Sequence, residues 1–320
     1  MKLRLRSKAP DLAGLLALTI ALAISCAPRA PAGQEAAPGA PAPLPSLKLG
    51  LMPAIDIAPL LIAAERGYFT AEGVDLSYEI FPNAQVRQSA IQAGSVDGIL
   101  TDLIALALSN AGGFPLKATT ATDGYFAVLA SPAAAAQRGG SLSIGLMEAS
   151  VSNFLADQWL GTAYTLQKTW LTDPSVRLEA VVSGGTQAAL LPEPLVSVGK
   201  SRGLGVIAQS SPAEPSVQAF AFTPSALEGK APAIRAFHRA WDRAVADVKA
   251  DPQLARAALA AALPNLSPAI AQTMTLPAWE TTRLPDEAWL AAVISWTGAM
   301  AGKDLGLKPA DLVDARFAGK

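Results

Sequence analysis

The sequence predicts an α/β protein of two lobes, with a hinge and an interlobe cleft. Short runs of β-branched and apolar residues alternate with helical segments between residues 46 and 131. The same alternation restarts after an alanine- and glycine-rich segment at residues 132–140. Strands separated by helices of about 10 to 15 residues imply right-handed crossovers and a mostly parallel sheet in each lobe.

The elements of the first lobe follow from local signals in chain order. Pro59 favours the first turn of a helix that ends at Gly67, because proline suits a helix start and glycine ends one. Asn83 and Asp102 each follow a predicted strand and are expected to cap the next helix. The strands of this sheet are predicted at residues 47–52, 74–81, 97–101, 116–122 and 126–131.

The second lobe repeats these signals. Ser150 precedes a helical segment, and Asp173 followed by Pro174 is typical of an N-cap and a first helical position. A further strand-like run at residues 217–222 lies where the chain returns to the first lobe. The strands of the second sheet are predicted at residues 141–146, 168–172, 187–191 and 204–208.

The chain becomes helical from Pro232 onward. An apolar stripe with helical spacing is formed by Ile234, Phe237, Trp241, Val245 and Val248. His238 lies off this stripe and is predicted to face water, which gives it no partner for catalysis. This region is expected to complete the first lobe.

The predicted boundaries are residues 46–131 and 213–320 for the first lobe and residues 132–212 for the second. The chain therefore crosses between lobes twice, near residues 125–140 and 210–222. Two crossings of this kind permit hinge closure around a small ligand.

The N-terminal segment has the features of an export signal. Residues 1–25 combine four basic side chains with an apolar stretch too short to span a bilayer. Small and apolar residues precede Cys26, as in a bacterial lipobox, so we expect cleavage before Cys26 and acylation of its thiol. Residues 26–45 are rich in proline and alanine and are predicted to form a disordered tether. The mature protein would then be held at the cell envelope by its lipid.

Composition excludes several classes of function. The chain has 25 basic and 26 acidic residues, which argues against a nucleic-acid binder that relies on a basic field. It has one cysteine and one histidine, which leaves no cysteine-rich or paired-histidine metal site. We therefore predict no metal, no cofactor and no catalytic residue.

Ligand-binding residues are expected where strands end, because open α/β sheets bind ligands at the carboxyl ends of their strands. The candidates are Met52, Asp56, Ala58, Asn83, Thr101, Asp102, Tyr125, Ser150, Val151, Ser152, Asn153 and Glu193.

Two of these groups have competing interpretations. The helix start at residues 150–153 offers hydroxyls and free N–H groups to an anion, but simple helix capping explains the same residues. Three carboxylates near the predicted cleft argue against an anionic ligand, because burying an anion beside them is costly: Asp56, Asp102 and Glu193. Asp56 and Asp102 can equally be caps. The carboxylates near the predicted cleft therefore favour a neutral or cationic, planar organic solute, on which Tyr125 can stack.

Several segments resemble a known family. They are Ala58-Pro59, the Glu65-Arg66-Gly67-Tyr68-Phe69 run, Glu72-Gly73-Val74, Ala93-Gly94-Ser95-Val96-Asp97 and the Pro192-Glu193-Pro194 turn. In this order they are similar to periplasmic solute-binding proteins of the aliphatic sulfonate, nitrate, taurine and thiamine-precursor type. The resemblance implies a type II periplasmic-binding-protein fold.

The resemblance also implies a function. A monomeric, lipid-anchored protein would capture a small solute in the cleft and deliver it to the permease and ATPase of an ABC importer. Two alternatives stay open: a ligand sensor for a membrane signalling system, and a pyrimidine-forming enzyme. The enzymes of this fold use histidine and a cysteine-rich segment, whereas this chain offers only His238, predicted on a polar helical face, and Cys26 outside the folded body.

Overall fold

The computed structural model describes residues 43–212, 214–263 and 266–317. The strands within these residues are β1 (Ser46–Leu51), β2 (Asp75–Ile80), β3 (Gly98–Asp102), β4 (Lys117–Thr122), β5 (Phe126–Ala130), β6 (Gly140–Leu146), β7 (Tyr164–Trp170), β8 (Ala188–Pro192), β9 (Gly205–Gln209) and β10 (Gln218–Phe222). The α-helices are α1 (Ala58–Glu65), α2 (Tyr68–Glu72), α3 (Ala84–Gln92), α4 (Leu103–Ala111), α5 (Pro132–Ala136), α6 (Val151–Leu160), α7 (Pro174–Val182), α8 (Leu195–Ser201), α9 (Pro224–Gly229), α10 (Ala231–Ala250), α11 (Gln253–Ala262), α12 (Pro268–Thr273) and α13 (Glu287–Met300).

The first sheet has the strand order β2-β1-β3-β10-β4. β1 is parallel to both β2 and β3, whereas β10 is antiparallel to β3 and β4. The sheet is therefore mostly parallel, as predicted, with one reversed strand. Gly98 lies opposite Phe222 in the register of β3 and β10, and a Cβ on Gly98 would come within 2.4 Å of that ring. Glycine is needed there for close approach.

The second sheet has the strand order β7-β6-β8-β5-β9. β5 is antiparallel to β8 and β9, so it belongs to this sheet. The prediction that residues 126–131 complete the first sheet is wrong. The five apolar residues of β5 indicate a buried strand, but they do not indicate which sheet buries it.

Each sheet thus contains one strand that enters from the other lobe. β5 is the first strand after the chain leaves β4, and β10 is the first strand after it leaves β9. The first crossing therefore runs over residues 123–125, and the second includes residues 210–212 and 214–217. The first crossing lies earlier than predicted because β5 already pairs in the second lobe.

Helix caps set the direction of the chain as it leaves each strand. The side chains of Asn83, Asp102, Ser150 and Asp173 each accept a hydrogen bond from a main-chain N–H in the first turn that follows. The predicted caps Asn83, Asp102 and Asp173 are confirmed, and Ser150 has the capping role that the sequence left open beside an anion site. Gly67 has a φ of 68° at the end of the first helical segment, a left-handed conformation that favours glycine.

The longest helix, α10, packs its predicted stripe into the core. Phe220 of β10 contacts Phe237 and Trp241 edge-on, with ring centroids 5.0 and 5.6 Å apart. His238, however, is 5% exposed, and its Nε2 lies 2.9 Å from Oγ1 of Thr119. The prediction that His238 faces water is wrong, because the residues around β4 and Phe317 cover a second face of this helix.

No helix among the described residues is both long and apolar enough to cross a membrane. The predicted export signal, the lipid site at Cys26 and the tether up to residue 42 lie outside the described residues.

Candidate functional site

Asp56 lies in a 3-10 turn at Ile55–Ile57, directly after β1. Its side chain is fully buried. One oxygen, Oδ2, accepts a hydrogen bond from Oγ1 of Thr122 at 3.1 Å, whereas Oδ1 has no partner within the described part of the chain. Burial raises the pKa of Asp56 to about 6, although the bond from Thr122 opposes the shift.

Arg87 is the cation nearest to these strand ends. It lies on α3, is 4% exposed, and donates from Nη2 to Oγ1 of Thr101 at 3.0 Å. Asp102 follows on the same strand and caps α4, with its Oδ1 2.8 Å from the N–H of Ala105. Burial lowers the pKa of Arg87 and raises that of Asp102, and the two side chains partly offset each other's shift. Arg87 thus links the buried side chains at these strand ends, since it donates to Thr101 and interacts electrostatically with Asp56 and Asp102. Their role in ligand binding stays a prediction.

At the start of α6, where the sequence left an anion site open, the polar side chains already bond to one another and to the nearby main chain. Ser150 Oγ donates to the Met147 carbonyl at 2.9 Å and accepts from the N–H of Ser152 at 3.1 Å. Ser152 Oγ accepts from the Met147 N–H, and Asn153 Nδ2 donates to the carbonyl of Glu148. These bonds favour the capping interpretation over the anion site. Val151 is buried beside them.

Glu193 is fully buried, and protein groups occupy both of its oxygens. Oε2 accepts from the N–H of Ser197 at 3.0 Å. Oε1 accepts from the hydroxyl of Ser197 at 2.9 Å and from the N–H of Thr275 at 3.0 Å. In this arrangement the carboxylate joins the second lobe to the C-terminal segment, and no oxygen lacks a donor.

The remaining candidates are spread along the edge of the first lobe. Met52 and Asn83 are half-buried, and Ala58 is fully buried at the start of α1. Asn83 Oδ1 accepts from the N–H of Val86 at 3.0 Å.

A cavity of about 710 Å³ opens beside the two crossings. Its walls come from residues 121 and 123–126, from residues 209–212 and 214–217, from α6, and from α13 with the loop before it. Tyr125 lines it, with its hydroxyl donating to Oε1 of Gln209 at the end of β9 at 2.8 Å. Of the twelve predicted ligand residues, Tyr125 alone contributes to this wall. The cavity therefore lies between the lobes, next to the hinge.

Arg283 supplies the cationic side chain of the cavity wall, and Asp123 neutralises it. Arg283 Nη2 and Nη1 lie 2.5 and 3.2 Å from Oδ1 and Oδ2 of Asp123. The N–H of Glu280 also bonds to Asp123, at 2.8 Å. This pair fixes the C-terminal loop against the first crossing.

Sequence reasoning missed most of the cavity wall. The predicted crossings, near residues 125–140 and 210–222, include Tyr125 and Glu214, so the second of them could have led to Glu214. Trp159 lies late in α6, and Arg283 lies in a loop of the helical region. Neither follows a strand, so the rule that ligands bind at strand ends gives no reason to select them.

The two mixed sheets, their flanking helices and the paired crossings define the type II periplasmic-binding-protein fold. The model of the NMT1-like family matches residues 40–263, and the chain belongs to this family. No curated protein matches the sequence.

Solved structures share the fold at low identity. The ligand binding component of an ABC-type import system from Staphylococcus aureus, with zinc bound, is 12% identical, with a TM-score of 0.73 over 85% of this chain and 97% of that one. The periplasmic aliphatic sulphonate binding protein SsuA from Escherichia coli is 17% identical, with a TM-score of 0.64 over 80% and 85%. The periplasmic nitrate-binding protein NrtA from Synechocystis PCC 6803 is 12% identical, with a TM-score of 0.61 over 76% and 74%.

Proposed function

We propose that this chain is the substrate-binding protein of an ABC importer and captures a small organic solute between its lobes. The observation that carries the proposal is the cavity of about 710 Å³ beside the two crossings. Ligand pockets in proteins commonly have volumes of about 300 to 1,000 Å³. A solute there touches both lobes and both crossings, so it stabilises the closed form.

The fold neighbours support transport as the setting. Those named above include a component of an ABC-type import system and binding proteins for sulphonate and nitrate. In the proposed cycle the closed, loaded protein is recognised by a permease, and an ATPase drives import. We further propose export and anchoring by a lipid at Cys26, which would keep the protein close to its permease.

The position of His238 supports binding rather than catalysis. It is the single histidine of the sequence, is bonded to Thr119, and does not line the cavity. Burial lowers its pKa to about 3, which makes it a poor proton acceptor near neutral pH.

A thermal-shift screen of the purified protein against sulfonates, nitrate, pyrimidines and amines tests the proposal. A bound solute at 100 times its dissociation constant stabilises the folded state by about 2.7 kcal/mol. We expect at least one class to raise the melting temperature without being chemically changed. Turnover of a stabilising compound, or the absence of stabilisation by every class, would contradict the proposal.

A further inference from the structure

The charged groups of the cavity wall differ in whether a cation balances them. Asp123 is paired with Arg283, and Glu280 is paired with Lys249 at 3.0 Å. Glu214 and Asp286 also line the cavity, but neither has a lysine, arginine or histidine within 4.0 Å among the described residues. Two carboxylates of the cavity wall therefore have no basic side chain as a partner among the described residues.

The hydrogen bonds of these two carboxylates come from neutral donors. Glu214 accepts from the indole Nε1 of Trp159 at 2.8 Å and from the N–H of Ser211 at 3.3 Å. Asp286 accepts from the N–H of Trp289 at 2.8 Å. Neutral donors orient a carboxylate but do not cancel its charge. Glu214 is half-buried whereas Asp286 is exposed, so solvent screens the charge of Glu214 less.

Four aromatic side chains also line the cavity: Tyr125, Phe126, Trp159 and Trp289. The faces of aromatic rings attract cations, and tryptophan attracts them most strongly. The bond from Trp159 to Glu214 holds an indole ring beside an unpaired carboxylate. A cation in the cavity could therefore contact both.

An anionic solute has no comparable partner. Arg283 already donates to both oxygens of Asp123, so it could bind an anion only by leaving that pair. At the start of α6, the hydroxyl of Ser150 already bonds to the Met147 carbonyl and to the N–H of Ser152. Burying an anion near Glu214 without a free cation would be unfavourable.

We propose that the interlobe cavity binds an organic cation, held by Glu214 and the rings of Trp159 and Tyr125. This inference rests on the proposed function, because it names the class of solute that the same cavity captures. Asp286 adds a weaker attraction from the rim.

Two sets of matched probes test the charge of the solute. Benzamidinium, benzamide and benzoate are similar planar molecules with positive, zero and negative charge. Choline and 3,3-dimethylbutan-1-ol form a second pair that differs in one positive charge. We expect calorimetric titration of the full chain to rank each cation about 10-fold tighter than its neutral analogue, and benzoate weakest. An equal or reversed ranking, or no binding by either cation, would overturn the inference.

Variants that each remove one carboxylate test which of them binds the cation. Glu214→Gln should weaken cation binding about 5-fold or more and reduce its dependence on salt, and Asp286→Asn should do so less. Glu65→Gln, which changes an exposed carboxylate outside the cavity, should have no effect. Equal effects of Glu214→Gln and Glu65→Gln would place the cation elsewhere. Binding of sulfonates, nitrate or neutral solutes alone would refute the cation but leave solute capture intact, whereas failure of every solute class would refute the proposed function itself.

Discussion

Glu193 of the second lobe accepts a hydrogen bond from the main-chain N–H of Thr275, with 3.0 Å between Oε1 and N. The same carboxylate also holds the N–H and hydroxyl of Ser197 at the start of α8. One buried side chain thus ties the second lobe to the loop that follows α12. That loop continues along the cavity wall.

Removing this carboxylate should destabilise the protein. Glu193→Ala leaves two buried donors of Ser197 and the partly buried N–H of Thr275 without an acceptor, and we expect a loss of about 2 to 4 kcal/mol in the free energy of unfolding. Urea denaturation measures it, and Glu193→Gln should recover part of the loss because its amide oxygen still accepts. The exposed Glu65→Ala is the control. A change no larger than that of the control would show that the bond to Thr275 contributes little.

Asp56 should make the protein less stable as pH rises from about 4 to about 6. Its folded pKa of about 6 lies above the ordinary 3.8, so over this interval the folded state binds more protons than the unfolded state. The cost at neutral pH corresponds to about 3 kcal/mol.

Asp56→Asn keeps an acceptor for Thr122 and removes the charge. Its stability relative to wild type should therefore increase across that pH range, as measured by urea unfolding at several pH values. The exposed Asp75→Asn provides the comparison. A difference between Asp56→Asn and wild type that does not vary with pH would rule out a buried carboxyl that titrates near 6.

His238 should remain neutral well below the pH at which a free imidazole ionises. Burial and the nearby Arg235 lower its pKa to about 3. Because the sequence has one histidine, its imidazole proton signal is unambiguous in an NMR titration. We expect no titration between pH 5 and 8. A midpoint near 6.5 would mean that this side chain is exposed.

If a lipid on Cys26 anchors the protein, removing its thiol should release the protein from the membrane. Cys26→Ser removes the thiol that would be acylated, so the protein should move from the membrane fraction to the soluble fraction of the cell envelope. Ser25→Ala keeps a small residue before Cys26 and should leave the protein anchored. Membrane retention of Cys26→Ser would reject lipid attachment at this position.

Local signals predicted most of the fold but not the partners of every segment. Asn83, Asp102, Ser150 and Asp173 are caps because short polar side chains before a helix have few other local roles. The apolar run of β5 gave no information about its sheet, since its partners β8 and β9 lie far along the chain. The prediction for His238 was wrong for the same reason, because the residues that cover it belong to β4 and to the C-terminal segment.

The candidate site likewise has a part that the sequence predicts and a part that depends on the folded chain. Asp56, Thr101 and Asp102 lie at strand ends of one sheet, which is where parallel strand order places ligand-binding residues. The cavity instead joins segments around Tyr125, Trp159 and Arg283, which only the folded chain brings together. No pattern within one segment records that proximity.

Solute capture in the interlobe cavity requires that the bound compound contacts the cavity wall. The affinity of the most stabilising compound from the screen should be measured by calorimetry for Trp159→Ala and Trp170→Ala. Trp159 lines the cavity, whereas Trp170 is 46% exposed at the end of β7 and does not. We predict that Trp159→Ala weakens binding about 10-fold or more and that Trp170→Ala leaves it unchanged. Equal affinities for the two variants would contradict solute capture in the interlobe cavity.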